Sequence, residues 1–405
     1  MSTIRTRISF WTAASVAMLA LWASAAPSMI YPVYARDWNL SPTVITSLFA
    51  VYPIALVVVL VIFGSISDHI GRRSTLLVGV AVLLAGAVIF AVATDVAWLF
   101  VARALQGIGV GLAMSPASAA MVEFNARGGT ARASSVNTVA TALGLALATI
   151  VAGALVEYAP APRQLSYWVL FGVGVLVFVA VLYVPRHVRG TEDSARWRPR
   201  PIRIPARLRG VVTAASLAVT AGFAVGAVLL SLGAQIAQDL IHTENSLVTG
   251  SVLAITSVVI GLTALAARRV PARVSVMSGG VISALAVGLL AVSATTSSLG
   301  VFALMSVTAG IGYGLLFLGG LGLVNQHAPS RHRAATLSAV YLVAYLAQGI
   351  IAVAVGVVAT SVGLRVAIDV AAPVLVLLCL VTSGVAIVFG REPRPVTASL
   401  QIDQA

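Results

Sequence analysis

The residue in this sequence with the strongest chemical demand is Arg103, the only cation placed inside a long apolar run, here residues 97–122. An unpaired cation in the middle of a membrane helix costs roughly 2.5–3.5 kcal/mol on insertion scales, so Arg103 is expected to face a water-filled cavity or a polar partner. The competing reading is an arginine whose long stem lets its head reach the nearer interface. Gln106 lies three residues on, one helical turn away on the same face, where it can share a contact to water or to a bound molecule. A second polar face comes from Tyr341, Tyr345 and Gln348, whose i, i+4, i+7 spacing sets them in one helical stripe. Ser24, Ser28, Tyr52, Asn137, Thr141 and Tyr313 are further polar or aromatic residues within apolar runs. Their alternative role is hydrogen bonding between helices or anchoring at an interface.

Titratable residues of other kinds offer little. His69, His187, His242, His327 and His332 fall in or beside loops and form no H-E-x-x-H pattern, so no catalytic metal is expected. No Walker-type phosphate loop is present, which removes support for ATP-driven chemistry, and no cofactor is expected. The single cysteine, Cys379, can form no internal disulfide. Asp68 and Arg72 stand four apart in a short polar loop, so on a helical turn they face one another, and Glu123 can complete a charged cluster.

The elements that must carry these residues follow from composition. The chain has 405 residues, 60% of them apolar and 9% charged, with a mean hydropathy of +1.03. That composition describes an integral membrane protein, and at roughly 20 apolar residues per span the length accommodates about twelve helices. Stretches such as residues 55–63 and 374–380 are apolar without alternation, which excludes a β-barrel. Spans are expected near 8–34, 42–63, 74–94, 97–122, 133–157, 165–184, 210–236, 246–266, 274–294, 298–324, 334–358 and 365–390.

All 25 basic residues are arginine, and if the N-terminus is cytoplasmic, 21 of them fall in inside segments and only Arg36, Arg163 and Arg365 outside. This split places both termini in the cytoplasm. The net charge of +13 is thereby explained by topology and by attraction to anionic lipid, and nucleic acid is not expected as a partner. Residues 186–209, rich in arginine and proline, form a cytoplasmic linker between an N-terminal bundle (1–185) and a C-terminal bundle (210–405). Arg5, Arg7 and Ala23-Ser24-Ala25 imitate a cleavable secretory signal, but its removal would leave eleven spans and break the internal repeat, so it is read as span 1.

That repeat is visible in the glycines. Gly107-Ile108-Gly109-Val110-Gly111-Leu112 recurs as Gly310-Ile311-Gly312-Tyr313-Gly314-Leu315 at an offset of 203, with Arg132-Ala133 matching Arg333-Ala334 at 201. Two six-helix halves related this way imply a site between bundles at the membrane midplane. The loop Gly64-Ser65-Ile66-Ser67-Asp68-His69-Ile70-Gly71-Arg72-Arg73 then resembles the motif between helices 2 and 3 of the major facilitator superfamily. Arg103-Ala104-Leu105-Gln106-Gly107 is similar to that superfamily's Arg-x-x-Gln-Gly motif in helix 4, common in its drug and metabolite efflux branch.

The resemblance implies an all-α membrane protein of twelve helices in two pseudo-symmetric bundles, not an enzyme. It implies a secondary active transporter, a monomer, that moves a small organic molecule by alternating access, as proton-coupled efflux. It further implies that Gly64, Asp68, Gly71, Arg72 and Glu123 gate the inner side, while by their type and placement Arg103, Gln106, Ser28, Tyr341, Tyr345 and Gln348 are the residues expected to meet substrate or coupling ion. Members of the efflux branch often carry an acid on helix 1 one turn before an outer proline; here Pro32 is that proline and Ser28 holds the acid's place. Asp37 is therefore the expected proton carrier, reached by Arg103 through water or substrate. The family's antiporter signature in helix 5 is only partly present: Gly144 and Gly153 fit, but Glu157-Tyr158 stand where Gly-Pro is expected. Nutrient uptake by symport or uniport, and a non-transporting receptor or scaffold, are the alternative functions.

Overall fold

A computed structural model describes residues 3–64, 66–125, 129–185 and 208–389; most of the expected linker lies outside the described residues. Twelve helices are long and apolar enough to cross a membrane, and they fall within a few residues of the expected spans: Arg5–Asp37, Pro42–Phe63, Arg72–Val92, Val96–Glu123, Ala131–Tyr158, Pro162–Leu182, Arg209–Asp239, Ser246–Arg269, Ala272–Thr296, Leu299–His327, Ala335–Val362 and Leu364–Val388. They are called spans 1 to 12. Uninterrupted apolar sequence favours helices here because lipid offers backbone groups no other partners.

Several starts are set by side-chain caps. Ser41, Asp95, Asn245 and Ser298 each accept a hydrogen bond from a backbone N–H of the first turn that follows, at 3.4, 2.8, 3.0 and 3.4 Å. Span 3 starts differently: Gly71 has φ of 87°, a conformation that favours glycine, and so turns the chain between the short helix Ser67–Ile70 and Arg72.

Span 1 is not one continuous α-helix as its run of apolar residues suggests. It is α-helical to Ala25, passes through a 3-10 turn at Ala26–Met29, and resumes as a helix at Tyr31–Asp37. Pro27 has no N–H to give the preceding turn, and the tighter turn accommodates that loss.

The repeat is repeated in the packing. A side chain at Gly107 would run into the Tyr52 carbonyl and lie 2.8 Å from the Ala55 Cβ, while one at Gly310 would lie 2.7 Å from the Thr256 carbonyl and the Val259 Cβ. Gly111 and Gly314 continue these faces against Val59 and Thr263. Span 4 thus packs on span 2 as span 10 packs on span 8, with small residues admitting close backbone approach. On the other side of the same helices, Gly109 faces Gly79 of span 3 and Gly312 faces Ser283 of span 9.

Two large apolar cores result. One draws almost entirely on spans 1–6, joined by Ala227 and Ala352; the other draws on spans 7–12, joined by Met29 and Ala152. The halves also touch within the spans, where Gly349 faces Ala50 and Gly261 faces Ala142, but among the described residues the hydrogen bonds between them lie at the span ends that carry few arginines. Thr43 and Thr360 hydroxyls lie 2.7 Å apart, the Ser246 N–H donates to Glu157 Oε2 at 2.7 Å, and Asn245 Nδ2 donates to the Tyr158 hydroxyl at 3.2 Å. Below these, Gly250 of span 8 rests on the Thr149 carbonyl and against Gly153 of span 5.

Candidate functional site

Arg103 sits in span 4 with 1% of its surface exposed. Its guanidinium donates to the Ser24 carbonyl of span 1 at 2.9 Å, to the Leu48 carbonyl of span 2 at 3.3 Å, and to Gln106 Oε1 at 3.0 Å. The Ser24 carbonyl belongs to the last α-helical turn before the 3-10 segment, where carbonyls lose their regular partners. Tyr52 lies over the guanidinium at 4.9 Å from its ring centroid, and Phe49 at 6.0 Å. The sequence expectation of a polar partner is met, but by main-chain dipoles and aromatic faces. The arginine is far too buried for the interfacial reading. Among the described residues no carboxylate pairs with it, so the site carries an uncompensated positive charge.

Gln106, fully buried, uses its oxygen on Arg103 and leaves its Nε2 without an acceptor. Ser28 is buried in the 3-10 turn, and at the repeat counterpart of Arg103, Ser306 is buried with an unpartnered hydroxyl.

The second half supplies rings. Tyr341 and Tyr345 stack at 6.1 Å, Tyr345 meets Phe223 of span 7 at 4.8 Å, Phe223 meets Tyr313 at 5.9 Å, and Phe317 bridges Tyr313 and Tyr341 at 6.2 and 6.4 Å. Gln348 lies at the edge of this stripe, 9% exposed, with its Oε1 unpartnered. The structure sets Tyr341 and Tyr345 side by side, in keeping with their spacing, and joins to them Tyr313, Phe223 and Phe317. Phe317 was accessible from its i, i+4 relation to Tyr313; Phe223, alone on its helix, gave no such signal. Tyr345 also packs against the apolar core of the first half, to which Tyr52 belongs. Arg103, Tyr52 and the ring group thus face each other across the boundary between the halves.

Other expected residues lie apart from this site. Asp37 pairs with Arg163 at 3.2 Å near the end of span 1, and Arg163 in turn lies over Trp38. Among the described residues no direct hydrogen bond or ion pair joins Asp37 to Arg103. The Ser118 hydroxyl of span 4 donates to Asn137 Oδ1 at 3.2 Å, holding two helices of one bundle together, and the Thr141 hydroxyl donates back to the Asn137 carbonyl at 3.0 Å. At the arginine-rich end, Arg72 pairs with Glu123 and donates to the Ala119 carbonyl at 3.1 Å. Gly64 closes span 2 by donating its N–H to the Leu60 carbonyl at 3.1 Å. The Asp68 side chain lies outside the described residues.

Among the described residues, twelve candidate membrane spans in two repeated halves thus place a buried cation on one side of their boundary and a ring cluster on the other. The chain belongs to the Major Facilitator Superfamily, whose family model matches residues 13–266. It is 34% identical over 137 residues to the MFS-type transporter EfpA of Mycobacterium tuberculosis, covering 33% of this chain and 24% of EfpA. It is 30% identical over 246 residues to the multidrug efflux pump LfrA of Mycolicibacterium smegmatis, covering 56% of this chain and 47% of LfrA. The matches thus span about a quarter and about half of these relatives. Among solved structures, an inward-facing, unoccupied bacterial homologue of the human lysosomal transporter Spinster superposes with a TM-score of 0.76 at 15% identity, covering 98% of this chain and 100% of that one.

Proposed function

We propose that this transporter exports a small organic molecule across the cell membrane by proton-coupled alternating access, its two bundles, residues 1–185 and 210–405, rocking about the site between them. The observation that carries the reading is the joining of the halves at the arginine-poor end, above Arg103, Tyr52 and the ring cluster. With the arginine-rich side cytoplasmic, this is the state from which a cytoplasmic molecule enters. The similarity to LfrA, a multidrug efflux pump, supports export over uptake. Protons are the proposed driving ion, and the acids at the arginine-poor end, Asp37 foremost, are the proposed carriers, because span 1 borders the other half, with Met29 in its core.

The test is counterflow and gradient-driven flux in proteoliposomes of known orientation. An outward-acid pH gradient is expected to drive substrate from the cytoplasmic face outward against its own gradient. Flux that equilibrates but never accumulates would show a uniporter, and accumulation in the opposite direction would show uptake.

A further inference from the structure

We infer that the site selects planar aromatic molecules that are neutral or carry a carboxylate, and rejects aromatic cations; this rests on the transporter reading above and specifies its substrate class.

The ring cluster offers stacking surface rather than a closed core. Phe223 is buried, but Tyr313, Phe317, Tyr341 and Tyr345 are only half-buried, so ring surface remains free for a guest. Their centroids lie 4.8–6.4 Å apart, as offset or tilted aromatic neighbours prefer. A flat guest fits such a wall by the same geometry.

Aromatic rings alone would also welcome a cation, so charge decides the class. Tyr52, the ring opposite the cluster, already has the Arg103 guanidinium 4.9 Å from its centroid. Its electron-rich face is thus committed, and a second cation on its other side would be repelled by the first. No carboxylate compensates. Among the described residues, every Asp and Glu lies in a loop or near a span end. The described ones that form ion pairs, Asp37, Glu123 and Asp369, pair with Arg163, Arg72 and Arg365. In a surrounding of low dielectric, a lone positive charge favours an anion and opposes a cation over several ångströms. A second observation points the same way: Gln106 Nε2, fully buried beside the guanidinium, is a donor without an acceptor, as a site for a carboxylate or carbonyl oxygen would have.

The experiment uses one flat skeleton with three charges: 2-naphthoate, 2-naphthamide and (2-naphthylmethyl)trimethylammonium. Binding to the full chain in nanodiscs is measured by equilibrium dialysis against empty nanodiscs. Naphthoate and naphthamide are each expected to bind at least tenfold more tightly than the ammonium. Arg103→Lys should keep this order, while Arg103→Gln should remove the advantage of naphthoate over naphthamide. Tyr345→Ala should weaken all three probes together. Equal or tighter binding of the ammonium to the unmodified protein, or no binding of any probe, overturns the inference, and neither result depends on a variant folding. Counterflow of the same probes separates the two readings. The expected order of binding with no counterflow would refute transport and leave the selectivity standing. Counterflow of the ammonium as fast as that of naphthoate would refute the selectivity and leave transport standing.

Discussion

Replacing Gly250 by alanine should hold the protein open on its arginine-poor side. A Cβ at this position in span 8 would strike the Thr149 carbonyl oxygen of span 5, with the carbonyl carbon at 3.1 Å and the Gly153 Cα at 3.4 Å. The obstacle is backbone of the opposite half, which no rotamer change can clear. Adding a methyl to a packed contact costs roughly 1–3 kcal/mol. Here the cost falls only on the state in which the halves touch, because the three nearest atoms all belong to the other half. A differential of about 1–3 kcal/mol shifts a two-state population about 5- to 150-fold. Spin labels at cysteines replacing Pro160 and Glu244, in a Cys379→Ser background, would report the separation by double electron–electron resonance. The expected result is a longer distance population in Gly250→Ala, with slowed turnover. Gly288→Ala, in span 9, where a Cβ meets nothing within 4 Å, is the control and should leave both unchanged. A Gly250→Ala protein with the unmodified distance distribution and rate would refute the reasoning.

Arg103→Ala should abolish transport and also lower the thermal unfolding temperature, because hydrogen bonds from a charged donor contribute about 1.5–3 kcal/mol each and two of the abandoned acceptors are main-chain carbonyls; a stable, active variant would count against the clamp. Glu157→Ala removes the carboxylate that accepts the Ser246 N–H at the start of span 8, a cap worth about 1 kcal/mol, and, in a Cys379→Ser background, should raise the reactivity of a cysteine introduced at Thr43 on the arginine-poor side about fivefold. Unchanged reactivity would show that this contact does not hold the halves together. Asp37→Asn should remove the effect of a pH gradient on flux while preserving counterflow, and full gradient-driven transport by that variant would eliminate Asp37 as the carrier.

The spans were legible because insertion into lipid depends on summed hydropathy, which is a property of sequence alone; the described helices differ from the expected ones by a few residues. The break in span 1 was less so. Pro27 was in plain view, but whether a membrane proline kinks, tightens or interrupts a helix is settled by its neighbours. For Arg103 the need for a partner was readable and the partner was not. Carbonyl oxygens occur at every residue, so nothing in the letters Ser24 and Leu48 distinguishes them as acceptors. For Asp37 the charge was readable and the partner was not, because its pairing with Arg163 depends on how the ends of spans 1 and 6 pack beside one another. Tyr341 and Tyr345 were found by periodicity, whereas Phe223 joins them only through tertiary packing.

The seam between Gly153, Gly250 and Thr149 is made of α-carbons and carbonyl oxygens, atoms common to every amino acid. It presents almost no side-chain identity, so it has no interlocking shapes to unpick when the halves part and none to find again when they rejoin. In the reading proposed above, recognition falls instead to Arg103, Tyr52 and the rings around Phe223. Because the two tasks use different atoms, the rings can be exchanged for others without retuning the hinge. A lineage that inherits this seam can change its cargo by a few substitutions and keep its machinery of opening and closing intact.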